Sequence, residues 1–271
     1  MSTYDHYATP VAPGTWDVPA AGAARFTWEY DGGRGRLLDL YQRGKDKQWD
    51  ATKRIDWDLP VDRFVRDKIG LHYPINTDLG RLLADALRDS RWDLPYLGMQ
   101  VLIEGLALAA FGVHRDMATN PLVKQILAYV LQDEARHVAF GRLALRDYYR
   151  GLTRAERADR EEFVVEGCYL MRNRFRAQEV WERMGFDVAE CLEFTENSPV
   201  QQMFRALLFS RIVPCVKDIG LWGAGVQRAF ADLGVLDAAK TDLEALMRDD
   251  EQIAEDVDRH RYETELAARR A

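Results

Sequence analysis

Apolar side chains recur every three or four positions along most of the chain, the spacing that places them on one face of a helix. Sustained alternation of apolar and polar residues, which is typical of strands, is nearly absent. The pattern therefore predicts an all-α fold. The predicted helices span residues 34–57, 78–90, 93–113, 121–149, 154–184, 199–232 and 241–268, with a short amphipathic piece at 61–70.

Polar residues and prolines indicate where these helices begin, end or bend. Thr77 or Asp78 can cap the helix over 78–90, because their side chains can accept a bond from a free amide of the first turn. Thr119 or Asn120 can do the same for the helix over 121–149. Pro214 lacks an amide proton, so we expect it to kink or break the helix over 199–232.

The composition along the chain suggests three regions. Residues 1–25 are rich in proline, glycine and alanine and predict an irregular N-terminal arm. Residues 26–235 contain most of the periodic segments and predict one helical domain. Residues 236–271, which include a capping box at 241–244, predict a charged C-terminal helical extension that forms a surface or an oligomer contact.

Two neighbouring helices carry metal-binding residue types on otherwise apolar faces. In the first helix Glu104 lies in the middle of an apolar stripe, and in the second Glu134 and His137 do. We therefore expect all three side chains to point toward the core. The first stripe comprises Leu97, Val101, Glu104, Leu108 and Phe111, and the second comprises Val123, Leu127, Val130, Glu134, His137, Gly141 and Ala144.

A carboxylate in apolar surroundings costs several kcal/mol unless it is paired, protonated or bound to a cation. Glu-x-x-His places a carboxylate and an imidazole one turn apart on the same side of a helix, which suits the binding of one ion. Glu104 on the neighbouring helix can supply a further oxygen. Such mixed oxygen and nitrogen donors favour Fe or Mn over Cu(I) or a structural zinc.

The bare tetrapeptide has a simpler explanation, because Glu-x-x-His occurs by chance in many helices. In that case a capped or salt-bridged glutamate lies beside a core histidine whose ring nitrogens have hydrogen-bond partners. The longer pattern is more specific: Glu104 is followed, after 28 residues, by the run Asp133-Glu134-Ala135-Arg136-His137. Both of its acidic positions lie on the apolar stripes, which favours a metal site.

Composition narrows the classes of function. The formal net charge of −7 disfavours a nucleic-acid partner, which usually needs a basic face. Three cysteines without Cys-x-x-Cys spacing (Cys168, Cys191 and Cys215) suggest a reducing compartment, and the N-terminus lacks the pattern of a signal peptide. The apolar run over 96–113 contains Gln100 and Glu104, so we expect a buried helix, no membrane span and a cytoplasmic protein.

The segments EGLALAAF and PLVKQILAYVLQDEARHVAFG resemble the second half of bacterial ferritin-like di-iron proteins related to ribonucleotide reductase small subunits. Within that group the chain most resembles non-haem di-iron oxygenases of the p-aminobenzoate N-oxygenase type. The segments LYQRGKDKQWDATKRIDW and FRALLFSRIVPCVKDIGLW are also similar, so the resemblance covers most of the chain. It implies a ferritin-like helical bundle in which Glu104, Glu134 and His137 bind iron. Asp133 and Arg136 would orient imidazoles from outside the ligand set.

The chain departs from that family in one respect. Proteins of this type carry the Glu…Asp-Glu-x-Arg-His pattern twice, whereas this chain has it once, so the bundle is expected to be incomplete in its first half. Trp57 to Pro60 runs almost directly into Val61 to Phe64, where relatives would have several tens of additional residues. No other Glu-x-x-His occurs in the sequence.

The chain thus supplies one Glu and one Glu-x-x-His, which is half of the ligand set expected from the family. Three interpretations of this half-site follow. A homodimer could place two such helix pairs across a two-fold axis and restore four glutamates and two histidines, which would hold two iron ions. A monomer could hold one metal weakly. Alternatively, the chain is a deletion product or a degenerate homologue without a working site.

With a complete site, the resemblance implies an iron-dependent oxidoreductase or oxygenase that activates O2 to oxidise a small organic substrate, with manganese as an alternative metal. The alternative belongs to another class: a non-catalytic helical scaffold or interaction protein that descends from such an enzyme. A ferritin-type iron store ranks below both, because it also needs a complete ferroxidase centre.

Overall fold

The computed structural model of the chain describes residues 15–18, 24–27, 35–47, 50–55 and 75–268. Two short strands, β1 (Thr15–Val18) and β2 (Ala24–Thr27), pair antiparallel with Trp16 opposite Phe26. They lie largely within the region predicted to be an irregular arm. The rest of the described chain is predominantly helical, which confirms the predicted all-α class in its coarse form.

The helices are numbered here in chain order. Helix α4 consists of a first turn at Asp93–Pro95, a π-helix at Tyr96–Ile103 and an α-helix at Glu104–Met117. A 3-10 helix spans Leu236–Lys240. The others are α1 (Gly35–Asp46), α2 (Ala51–Arg54), α3 (Thr77–Arg88), α5 (Pro121–Tyr149), α6 (Arg154–Arg176), α7 (Gln178–Met184), α8 (Val188–Asn197), α9 (Pro199–Phe209), α10 (Ile212–Asp218), α11 (Ala224–Asp232) and α12 (Leu243–Ala268).

Helix α5 begins and ends where the sequence predicts. The side chain of Asn120 accepts bonds from the amides of Leu122 and Val123, so Asn120 is the cap. The cap of α3 is Asn76, which accepts from the amide of Leu79, and the prediction of Thr77 or Asp78 was wrong. Helix α4 extends one turn beyond its predicted end.

Three predicted helices are divided in the structure. The helix predicted over 34–57 forms two helices, α1 and α2. Residues 47 and 50, which lie between them, are not helical. The helix predicted over 154–184 is interrupted at Ala177, whose φ of 56° is left-handed. The helix predicted over 199–232 breaks around Ser210 and again after α10, and not at Pro214, which lies in the first turn of α10 where proline is tolerated.

The sequence patterns gave no indication of α8, which fills much of the interval between two predicted helices. Asp187 caps it, since its carboxylate accepts from the amide of Glu190. The piece predicted at 61–70 and the junction around Pro60 lie outside the described residues.

The main hydrophobic core lies between α4, α5, α6 and the α9–α11 region. Its largest fully buried side chains include Tyr149, Phe209 and Phe230. Helix α5 is central, because α4 packs along one side of it and α12 and α1 pack along another.

Helix α12 lies along α5, and an ion pair also ties it to the segment before α10. Arg211 of the segment before α10 makes two bonds to Asp250 of α12, at 2.7 and 2.8 Å. The cap of α12 is Asp242, which accepts from the amides of Glu244 and Ala245, so Thr241 is not the capping residue. The C-terminal helix is thus a packed element of the bundle as well as a charged surface.

Helix α4 is long and apolar enough to cross a membrane by length and composition alone. A core helix of a globular protein meets the same criterion. Here Leu97, Val101 and Leu102 of α4 are fully buried in the main core, which accounts for the apolar composition. The cytoplasmic location stays a prediction.

Candidate metal centre

The π-helix of α4 ends at the first of the three predicted metal ligands. The amide of Glu104 donates to the carbonyl of Met99, five residues back, so the helix is wider here than an α-helix. Single π turns inside α-helices are rare and frequently occur at functional sites. The wider turn changes where the following side chains point, and Glu104 is the first of them.

A close approach of α4 and α5 at Gly141 sets the distance between the two helices beside the site. A Cβ at Gly141 would lie 2.5 Å from Oε1 and 2.7 Å from Cβ of Gln100. Only glycine leaves space for the Gln100 side chain there. Gln100 was not among the predicted site residues, although it precedes Glu104 by one turn, and its Oε1 is buried without a hydrogen-bond partner in the described structure.

The three predicted ligands converge. Donor atoms of Glu104, Glu134 and His137 all lie within 4.8 Å of one another. Nδ1 of His137 lies 3.6 Å from Oε2 of Glu134 and 3.9 Å from Oε2 of Glu104. These separations exceed a normal hydrogen bond and leave space for an ion between the atoms.

One carboxylate oxygen of each glutamate, Oε2 of Glu104 and Oε2 of Glu134, is buried without a hydrogen-bond partner in the described structure. An unsatisfied buried polar atom costs free energy, more so when it carries charge. Burial and the neighbouring Glu134 carboxylate raise the pKa of Glu104. The pKa of His137 is also raised, first by the attraction of Glu134 and then by Glu104. A cation between the three groups would relieve both the missing bonds and the repulsion of the two carboxylates.

The exposure of the site differs from the prediction. The Glu104 side chain is 21% exposed and that of Glu134 is 23%, but the His137 side chain is 56% exposed. Leu97, Val101 and Leu108 of the first stripe are buried as predicted. The second stripe does not face the described core: Val123 is 38% exposed, Leu127 and Val130 are half-buried, and only Gly141 and Ala144 at its end are buried.

The orientation of α5 explains this difference. Its opposite sides carry Leu131, Ala135, Val138 and Leu145, which pack in the main core, while Ala139 and Leu143 pack toward α1 and α12. One helix cannot bury every face unless it is surrounded. The face with Glu134 and His137 is the one left open by the described residues.

Asp133 and Arg136 lie beside the ligands and contact each other. Arg136 donates from Nη1 to Asp133 at 3.0 Å and from Nε to Glu251 of α12 at 3.3 Å. Arg136 therefore links the ligand helix to the C-terminal helix. The orienting role toward an imidazole stays a prediction for both residues.

An open cleft of about 610 Å³ lies between α1 and α5 next to His137. Leu40, Tyr41 and Phe140 give it an apolar wall, and Lys45, Asp133 and Arg136 give it charged edges. A small organic molecule in this cleft would contact His137 directly.

Comparison with protein-family models, with curated proteins and with solved structures gave no match for this chain. The residues themselves must therefore support any assignment. Two carboxylates and one imidazole are the donor types that Fe and Mn take in mixed oxygen and nitrogen sites, so the residues present fit such an ion.

Proposed function

We propose that this chain is a metal-dependent oxidoreductase in which Glu104, Glu134 and His137 bind iron, with manganese as the alternative metal. The observation that carries this proposal is the convergence of three donor atoms around two buried carboxylate oxygens that lack hydrogen-bond partners in the described structure. Bound iron would supply the redox chemistry with which O2 oxidises a small organic substrate. The ferritin-like family and the di-iron form of the site belong to the same proposal.

The roles of the three residues follow from their positions. Glu134 and His137 lie one turn apart on α5, so both could hold one ion, and Glu104 of α4 would hold it from the neighbouring helix. Nδ1 of His137 faces the carboxylates, which leaves Nε2 to bond an outer group that fixes the ring. The two carboxylates bring negative charge that offsets the charge of a divalent cation.

The cleft beside His137 provides the substrate path in this proposal. Its apolar wall of Leu40, Tyr41 and Phe140 suits the hydrocarbon part of a small organic molecule and excludes some water from the metal. Its charged edge, which includes Lys45, would orient a polar group of the substrate.

The first test is metal binding by the full chain under anaerobic Fe(II). Substitution of His137 by alanine removes one of three protein ligands, so we expect affinity to fall at least about tenfold, the equivalent of about 1.4 kcal/mol. Helical content should stay unchanged, because the His137 side chain is mostly exposed. The matched control is His114→Ala, which alters an exposed histidine near the C-terminal end of α4 and should bind metal as the wild type does. Stoichiometric iron retained by His137→Ala would contradict the proposal.

The second candidate function is a non-catalytic helical scaffold. It is favoured by one observation: the chain has a single Glu-x-x-His and, among the described residues, a single cluster of metal-ligand types. In a scaffold the half-buried Glu104 carboxylate would bind no metal ion.

Substitution of Glu104 by glutamine separates the two functions. In metal-free protein the change removes a half-buried charge next to Glu134, so we expect it to be neutral or stabilising in thermal unfolding. With Mn(II) added, the metal site predicts a rise in the melting temperature of the wild type and a much smaller rise in Glu104→Gln. A scaffold predicts that metal shifts neither protein.

A further inference from the structure

One face of α5 combines two of the proposed metal ligands, Glu134 and His137, with apolar residues that the described core does not use. Neither Leu127 nor Val130 belongs to a hydrophobic cluster of the described residues. Positions on this face step by three or four residues and therefore share one side of the helix. We call it the cluster face, and it consists of Val123, Leu127, Val130, Glu134 and His137.

The cluster face needs a partner for two separate reasons. Val123 is exposed and Leu127 and Val130 are half-buried, so the stripe still presents apolar surface to water, which favours association. The metal site, in addition, has three protein ligands, and the exposed side of His137 faces outward. Whatever covers this face must therefore be apolar and must also supply oxygen or nitrogen donors next to His137.

A second copy of the chain meets both requirements. In an isologous dimer each copy presents the same patch to the other, so an apolar stripe meets an apolar stripe and donors meet donors. Two copies together would contribute four glutamates and two histidines. This is the ligand set of helical bundles in which two helices each supply a Glu and two others each supply Glu-x-x-His.

The charges make such an association depend on metal. Two cluster faces, each with Glu104 of α4 beside it, bring four carboxylates into one partly buried interface, which is strongly unfavourable without counter-charge. Two divalent cations supply four positive charges and balance the four carboxylates. A ligand that binds only the associated state stabilises that state by mass action.

We propose that two copies of this chain associate through the cluster face and that divalent metal drives the association, so that each copy completes the metal site of the other. This inference rests on the proposed metal-binding function. The competing occupant is the segment 56–74 of the same chain, which contains Asp62, Asp67 and His72 and lies outside the described residues. That segment would complete the site within a monomer.

The test is sedimentation velocity of the full chain over about a hundredfold range of concentration, with EDTA or with Mn(II), and with metal per chain measured on the separated species. We expect a monomer in EDTA and a dimer with two ions in Mn(II), with dimer affinity at least about tenfold higher than in EDTA. Dimerisation that is equally strong in EDTA overturns the metal linkage.

The variant Leu127→Lys tests the face without changing a ligand. A lysine in the apolar stripe should weaken the Mn(II)-dependent dimer at least about tenfold, because its charge would be buried in the interface. The control Leu87→Lys places the same charge at an exposed leucine of α3 and should dimerise as the wild type does. A dimer that is indifferent to Leu127→Lys overturns the assigned face.

The two proposals fail in different ways. A monomer that binds stoichiometric Mn(II) at every concentration overturns the dimer and leaves the metal-binding function standing. A chain that binds no metal overturns both. A dimer that requires both Mn(II) and Leu127 supports both.

Discussion

Asp93 and Arg160 form a buried ion pair that connects the start of α4 to α6. Arg160 donates to the two carboxylate oxygens at 2.9 and 3.1 Å. The Asp93 side chain is 1% exposed and that of Arg160 is 5%. The pair therefore holds the first turn of the helix whose π segment leads to Glu104.

Breaking this pair should strongly destabilise the protein. Asp93→Asn removes the buried counter-ion of Arg160 and leaves it only the exposed Asp159, which accepts from Nη1 at 3.2 Å, so we expect the free energy of unfolding to fall by about 3–5 kcal/mol. Urea denaturation followed by far-UV circular dichroism measures the change.

The double variant Asp93→Leu with Arg160→Met serves as the control. It replaces both charges by apolar groups and should lose much less stability than Asp93→Asn, since no buried charge is left alone. Equal losses in the two variants would show that packing, and not the charge pair, matters at this position.

At the scale of elements, α12 is attached to its neighbours through three of its own acidic residues, which are spaced seven positions apart. Glu244 accepts from Arg142, Glu251 from Lys47 and Asp258 from Tyr129, at 2.8, 2.8 and 2.6 Å. A spacing of seven returns to nearly the same side of a helix after two turns. These three acids therefore line the seam where α12 meets α5 and the α1–α2 region.

Glu251 should make the attachment of α12 sensitive to acid. Burial alone would raise the pKa of Glu251, but the bonds and charges of Lys47 and Arg136 outweigh it, so the pKa lies below its usual value. A lowered pKa in the folded state means that the stabilisation is present above the unfolded pKa of about 4.3 and is lost as pH falls through the folded value.

Glu251→Gln should thus lower the free energy of unfolding by about 1–3 kcal/mol near pH 7, with the difference from wild type shrinking below about pH 4. The matched control is Glu255→Gln, which loses a bond to the same Lys47 from a side chain that is 52% exposed. A loss below about 1 kcal/mol is expected there. Similar losses in both variants would argue against a special role for Glu251.

For the whole molecule, the three free cysteines report on global packing. Cys168 is fully buried and Cys215 is 2% exposed, while Cys191 on α8 is partly exposed. Burial raises the pKa of the Cys168 thiol far above its usual value and that of Cys215 to about 12. Since the thiolate is the reactive form, both buried thiols should be inert in the folded protein.

Titration with a disulfide reagent at pH 8 should therefore modify one thiol per folded chain and all three in denaturant. Cys191→Ser should remove the rapid reaction altogether. Rapid modification of a second thiol in the folded variant would mean that the core around α6 or α10 opens without global unfolding.

Local sequence determined much of this molecule. The spacing of apolar residues predicted α3, α4 and α5 because each amphipathic helix carries its own periodicity, and Asn120 with Pro121 marked the start of α5. The three candidate ligands were predictable for the same reason. Glu134 and His137 lie one helical turn apart, and only their meeting with Glu104 requires two helices to pack.

Tertiary structure alone decided which face of α5 is open and that α12 packs along a different face of α5. It also decided where the long helices divide. Periodicity shows that a face is apolar, but it does not show which neighbour covers that face. The break at Ala177, the close approach of Gln100 to Gly141 and the bond from Arg136 to Glu251 depend on residues far apart in the chain or on strained backbone. Such contacts have no local pattern, because their free energy is gained only after distant helices have met.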